Sequence, residues 1–164
     1  MKRFLLLLGL TLFSFCLSYS QTDKKTDFKF PKPIGFVNDY EKVFSKEQID
    51  TLTSIIQKHQ DETTNQIAIV TIDSFAPYKT LFDYSLDLFN TWGIGTKEKN
   101  NGVAIVFGKS IRQIRIQVGY GLEKKLKDEE AKIIIDNVII PEFKKGDFYS
   151  GIKKGLIEIM KEIK

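Results

Sequence analysis

The residues of this sequence best suited to hold a ligand through oxygen are Asp39, Asn100, Asn101, Glu123 and Asp128. Carboxylate, amide and backbone carbonyl oxygens are the donors that Ca²⁺ or Mg²⁺ requires, and Ca²⁺ accepts the irregular geometry of loops. Two of these positions are brought together by local structure. Asn100-Asn101 lies just before an apolar run, Gly102 to Phe107, and Glu123 lies just after the run that returns from it, Ile111 to Val118. Antiparallel neighbours place the start of one strand beside the end of the next, so amides and carboxylate emerge at one sheet edge. Asp39 follows Asn38 in the segment that enters the domain. Asp128 stands where a helix begins, and capping that helix is an alternative duty for it.

The nucleophiles that would argue for other chemistry are scarce. The chain has one histidine, His59, and one cysteine, Cys16. His59 sits in a helical pattern beside the apolar positions Leu52 and Ile56, which reads as a structural or surface histidine. Neither a cysteine- nor a histidine-based phosphoenzyme is supported, and there is no GxxxxGK[ST] loop. The stretch VGYGLEKKLKDEE, Val118 to Glu130, has the strand, glycine loop and helix order of many phosphate cradles. It has two glycines, Gly119 and Gly121, where a dinucleotide fingerprint needs three, and Lys124 stands at the third place. Glu123 would repel a phosphate unless a cation intervened. The helix start at Asp128 is too far along for its N–H groups to share the loop's ligand. Gly119 and Gly121 are therefore expected to shape the loop. The loop itself is expected to form one wall of a cation site, with Asn100-Asn101 and Asp39 opposite. Tyr120 between the glycines is either an exposed contact or a lid over the core.

The elements that must position these residues are legible from periodicity. Ser45-Lys46-Glu47-Gln48 is a capping box, and Ile49, Leu52, Ile55 and Ile56 follow on one face of a helix running to about Asp61. Gln66 to Ile72 is short and rich in β-branched residues, as in a buried strand. Thr80 to Trp92 reads as a second helix ended by Gly93 and Gly95, with Trp92 packing at its end. The hairpin follows, turned by Gly108-Lys109-Ser110, with Ile114, Ile116 and Val118 alternating against Arg115 and Gln117. A third helix from Asp128 is expected to stop at Pro141, and a fourth starts at about Asp147. Strands flanked by helices imply an α/β fold: an α/β/α sandwich with a small mixed sheet containing a β-hairpin, covered by helices on both faces.

The first twenty residues do not belong to that fold. Met1-Lys2-Arg3, the apolar run Phe4 to Leu12 and the small residues Ser18 and Ser20 make a secretory signal peptide, with cleavage expected between Ser20 and Gln21. Periplasmic or secreted localisation follows. Lipoprotein processing at Cys16 is the rival, and Phe15 before it fits that poorly. Cleavage after Ser20 leaves no cysteine and no disulfide. It also takes the formal charge from +4 to +2 by removing Lys2 and Arg3, a surplus too small to argue for nucleic acid. Residues 21–33, lysine-rich and ending in Pro31-Lys32-Pro33, read as a linker, and 34–164 as the domain.

Several short motifs together resemble the TPM domain family. They are Gly35-Phe36-Val37-Asn38-Asp39-Tyr40, Trp92-Gly93-Ile94-Gly95, Asn101-Gly102-Val103, Val118-Gly119-Tyr120-Gly121-Leu122-Glu123 and Pro141-Glu142-Phe143-Lys144-Lys145-Gly146-Asp147-Phe148. The resemblance spans roughly Pro33 to Lys164. It implies a Rossmann-like α/β/α sandwich, exported or membrane-attached, with a divalent-cation site. It also implies an acid phosphatase activity proposed for some members. The family commonly has an acid where Asn100 stands, so this chain loses one charge there, and weaker cation affinity is expected. Many bacterial relatives continue into a transmembrane helix. This chain, ending at Lys164, resembles a stand-alone exported version with no such helix in the mature chain. The function expected is a Ca²⁺- or Mg²⁺-binding accessory module for envelope or membrane proteins. The alternative is a weak metal-dependent phosphatase.

Overall fold

A computed structural model describes residues 28–164. The expected signal peptide, its expected cleavage point and Cys16 lie outside the described residues. Four strands form one sheet in the order β1-β2-β3-β4: β1 Val37–Asp39, β2 Gln66–Thr71, β3 Gly102–Gly108 and β4 Gln113–Val118. The first three are parallel, and β4 returns antiparallel to β3. The helices are α1 Lys46–Thr63, α2 Leu81–Trp92, α3 Asp128–Ile134, α4 Ile140–Lys144 and α5 Phe148–Glu162, with a π-helical turn, Ile135–Ile139, joining α3 to α4.

The local signals act as their chemistry demands. The Ser45 side chain accepts from the Gln48 N–H while the Gln48 side chain accepts from the Ser45 N–H, which closes the capping box of α1. Thr80 caps α2 and Asp147 caps α5, each accepting from the third helical N–H. Gly93 closes α2 at φ +64, a conformation glycine adopts without strain. Strand β3 is buried along its whole length, which places it at the centre of the molecule.

The two faces of the sheet are covered unequally. Ile67, Ile69, Val103, Ile105, Phe107 and Ile116 point into the larger core, packed by α1, α5 and the α3–π turn. Val70, Ala104 and Val106 point into a smaller core whose only helix among the described residues is α2. That second core is extended by the segment that precedes β1. Phe28 and Phe30 pack against Tyr78 and Tyr84, with the Phe30–Tyr84 ring centroids 5.2 Å apart in an edge-on arrangement. Trp92 Nε1 donates to the Pro31 carbonyl at 3.1 Å, and the Tyr40 hydroxyl donates to the Lys32 carbonyl at 3.0 Å. Phe28 to Pro33 is thus a strap laid on the domain, although its lysines and prolines read as linker.

Three expectations are corrected. Strand β1 is absent from the sequence reading, because three residues give no period to detect; it exists because Val37 to Asp39 pairs with Ile69 to Thr71. Helix capping at the third helix belongs to Lys127, and Asp128 is the first helical residue. Pro141 does not stop the helical path, which continues to Lys144. A proline lacks the N–H and crowds the carbonyl four residues back. The wider π turn before it, with the Ile140 N–H donating to the Ile135 carbonyl, supplies the room.

Candidate functional site

The α2–β3 connection and the loop after β4 meet at the edge of the sheet where β3 begins. Asn101 is buried and uses both ends of its amide. Its Nδ2 donates to the Thr64 carbonyl at 2.8 Å, and its Oδ1 accepts from the Thr96 N–H at 3.0 Å. Its own carbonyl accepts from Gln66, so one residue ties together the α1–β2 turn, the α2–β3 loop and β2. Neighbouring Asn65 extends this knot by donating to the Ile163 carbonyl at 2.8 Å. The side-chain oxygen of Asn101 is therefore committed to the fold and not free for a ligand.

Asn100 behaves differently. Its backbone is left-handed, φ +48, where asparagine is among the few tolerated residues, and its side chain is exposed. Its carbonyl accepts from the Gly121 N–H at 3.0 Å. That contact explains both glycines of the loop. A β-carbon on Gly119 would stand 2.3 Å from the Asn100 carbonyl oxygen, and one on Gly121 would stand 1.8 Å from that of Lys99. Neither has positive φ, so the requirement is close backbone approach.

Behind this loop lies a cleft of about 610 Å³. Phe82, Leu86 and Phe89 of α2 form one wall, and Arg115 and Gln117 of β4 line its floor. Asn100, Glu123, Asp128 and Glu129 stand at its loop end, beside Tyr120. The structure thus brings together three of the five sequence-derived ligands, Asn100, Glu123 and Asp128. Tyr120 is 81% exposed and so is no lid over the core. The Arg115 guanidinium lies 4.4 Å from the centroid of Phe82, held by the ring's negative face.

Asp39 is not part of this cluster. The register pairs it with Thr71, and Thr71 with Phe107, at the opposite end of the sheet from Gly102. Five strand residues at about 3.3 Å each separate the two ends by roughly 17 Å. Its carboxylate instead accepts from the Val43 and Phe44 N–H groups at 3.0 and 2.8 Å and from the Thr71 hydroxyl at 2.7 Å. It fixes the turn into α1. His59 is also remote from the cleft: it is buried in α1, and its Nε2 has no hydrogen-bond partner among the described residues. Burial holds its pKa below the usual histidine value. Among the described residues no three His, Cys, Asp or Glu side chains are grouped to hold a metal ion by themselves. No described helix is long and apolar enough to cross a membrane. The residues that sequence reasoning missed are Phe82, Leu86, Phe89, Arg115 and Glu129. The alternation of Arg115 and Gln117 was visible, but nothing in the sequence revealed that α2 would face them across a cleft.

A three-plus-one mixed sheet between unequal helical layers, with a cleft beside its antiparallel edge, defines a Rossmann-like α/β domain. The TPM domain model matches residues 37–162, and the chain belongs to that family. Among solved structures it is similar to the N-terminal domain of a protein from P. gingivalis, at 28% identity and a TM-score of 0.71, covering 77% of this chain and 80% of that one. It is also similar to the N-terminal domain of the cg2496 protein from Corynebacterium glutamicum, at 16% identity and a TM-score of 0.62, covering 84% and 86%. The BA42 protein from the psychrophilic bacterium Bizionia argentinensis is a third, at 19% and 0.62, covering 76% and 83%. No curated protein sequence matches the chain.

Proposed function

We propose that this chain is a binding module that takes Ca²⁺ or Mg²⁺ at the loop end of its cleft and serves, after export, as an accessory domain for an envelope or membrane protein. The observation that carries the reading is the convergence of Asn100, Glu123 and Asp128 on one cleft. Neither Glu123 nor Asp128 forms an ion pair among the described residues, so their charges are not already neutralised. With two carboxylates and an amide, the ion would complete its shell from backbone carbonyls and water. Such a site belongs to the weak end of the calcium range, with a Kd on the order of 10⁻⁴–10⁻³ M.

Calcium titration of uniformly ¹⁵N-labelled protein should shift the amides of Asn100, Glu123 and Asp128, with reversal by chelator. Shifts scattered over the lysine-rich surface, or none at millimolar Ca²⁺, would rule the site out. The alternative of a weak metal-dependent phosphatase would use the same cation to activate water beside a phosphate. The binding reading expects no cation-dependent phosphomonoester turnover, and turnover lost in Glu123→Gln would favour the enzyme.

A further inference from the structure

Among the described residues, only His59 has a buried side-chain nitrogen or oxygen, its Nε2, with no hydrogen-bond partner. The residue is 7% exposed and lies near the end of α1, where α1 packs on α5 in the larger core. Its carbonyl accepts from the Thr63 hydroxyl at 2.7 Å, and the Thr63 oxygen accepts from the Asn65 N–H at 3.2 Å. The Asn65 amide in turn donates to the Ile163 carbonyl at 2.8 Å. One chain of hydrogen bonds therefore runs from His59 to the end of α5.

Two charged groups act on the ring. Glu62 of α1 favours a positive charge there, and Lys164, just beyond α5, opposes one. Glu62 is half exposed and lies 4.0 Å from Lys58, so its help is shared and screened. Lys125 donates to the Lys164 carbonyl at 2.7 Å and Lys99 to the Thr64 hydroxyl at 2.9 Å, which brings further positive charge to this corner. A proton on the closed ring is thus unfavourable twice over: the charge loses its water, and Nε2 has no acceptor to donate to. Relief comes from whichever cover gives way first. Helix α1 is fixed at its start by the capping box and the Asp39 turn, and β2 is held between β1 and β3. The end of α5 is held more lightly. Gly151 and Gly155 lie within α5 and lower its intrinsic helix stability, so it depends on packing. Helix ends also open at lower free energy than sheet interiors.

We propose that the seam between α1 and α5 is an acid-sensitive latch: when His59 takes a proton, the last turn of α5, Ile159 to Ile163, lifts from α1 while the sheet stays folded. Ile159 and Ile163, both fully buried in the closed form, then become exposed. The open form accepts the proton, because there the ring regains water and its ordinary pKa near 6.5. Above that pH both forms are neutral and the latch is closed. As pH falls through 6.5 the open form gains by up to about tenfold for each pH unit, until the pKa of the closed form is passed. The latch involves neither the cleft nor its cation, so it does not rest on the binding reading.

Amide hydrogen exchange of the ¹⁵N-labelled protein, corrected for intrinsic rates, tests the latch between about pH 7.5 and about pH 5.5. The amides of Ile159 to Ile163 should exchange through a local opening, faster than those of β3 at every pH. Their opening constant should rise severalfold on acidification, and in His59→Leu that rise should vanish. The ring carbon protons of His59, followed in the unaltered protein, should titrate below pH 6.5. Last-turn amides as slow as those of β3 would mean that only global unfolding frees the ring, and would overturn the latch. A fast but pH-independent opening, a rise that persists in His59→Leu, or a ring pKa at or above 6.5 would each overturn it as well. The ring titration and the exchange of the unaltered protein need no variant, so they decide the matter even if His59→Leu folds poorly.

Discussion

Adjacent asparagines at the start of β3 have opposite duties. Asn101 is enclosed and fully hydrogen-bonded, so Asn101→Ala strips partners from the Thr64 carbonyl and the Thr96 N–H. Leaving such groups unpaired costs roughly 1–3 kcal/mol each at most, and chemical denaturation should show a loss of that order. Asn100 is exposed with a backbone that aspartate also tolerates. If Asn100 holds the proposed cation, Asn100→Asp should leave stability nearly unchanged while tightening Ca²⁺ severalfold by adding a carboxylate; thermal unfolding checks the first and isothermal titration the second. His59 sets a pH dependence. Burial lowers its folded pKa below 6.5, so the neutral ring stabilises the native state fully above that pH. As pH falls through 6.5 the unfolded chain takes up a proton that the folded chain resists, and stability declines until the folded pKa is passed. The thermal midpoint should fall between pH 7 and pH 5, and His59→Leu should flatten part of that fall.

Among the elements, those with strong local signals were readable without the fold. The capping box of α1, the glycine cap of α2 and the alternation of β4 each follow from interactions within a few residues, and each stands where its pattern puts it. Elements whose cause is remote were not readable. Strand β1 owes its existence to pairing with β2, as in Val37 with Ile69, and the helical passage through Pro141 depends on a π turn that the core packing of Ile139 and Ile134 sustains. The glycine loop lies between these cases. Two glycines in VGYG announced a special backbone, but only the approach to Lys99 and Asn100 says what kind. Gly121→Ala places a methyl group 1.8 Å from the Lys99 carbonyl, so the loop must move. A destabilisation of about 1–3 kcal/mol is expected, with amide shifts at Asn100 and Glu123 and little change across α5.

At the scale of the whole molecule, the unequal layers matter most. The strap makes the smaller core depend on residues that composition assigns to a linker. Burial against it pushes the Tyr84 phenol up to about 12, a sign of how dry that cluster is. Phe30→Ala removes a ring that stacks on Tyr78 and sits edge-on to Tyr84. It should lower stability by about 1–2 kcal/mol, read by thermal unfolding, with the larger core unaffected. The same asymmetry leaves the α2–β4 groove open, and it explains why a domain with an ordinary apolar content still shows Phe82 and Tyr120 to solvent.

What the sequence by itself determined is everything that local period and local chemistry encode: helices, three of the four strands, the hairpin, the sandwich class and the TPM resemblance. It also placed Asn100 beside Glu123, because a hairpin joins them within a short stretch of chain. What only the tertiary structure decided is which polar groups remain free. Asp39 and Asn101 look as available as Glu123 in the sequence. The fold sends Asp39 to the opposite end of the sheet and seals Asn101 in backbone hydrogen bonds, since buried polar groups must be paired and the nearest orphaned amides and carbonyls claim them.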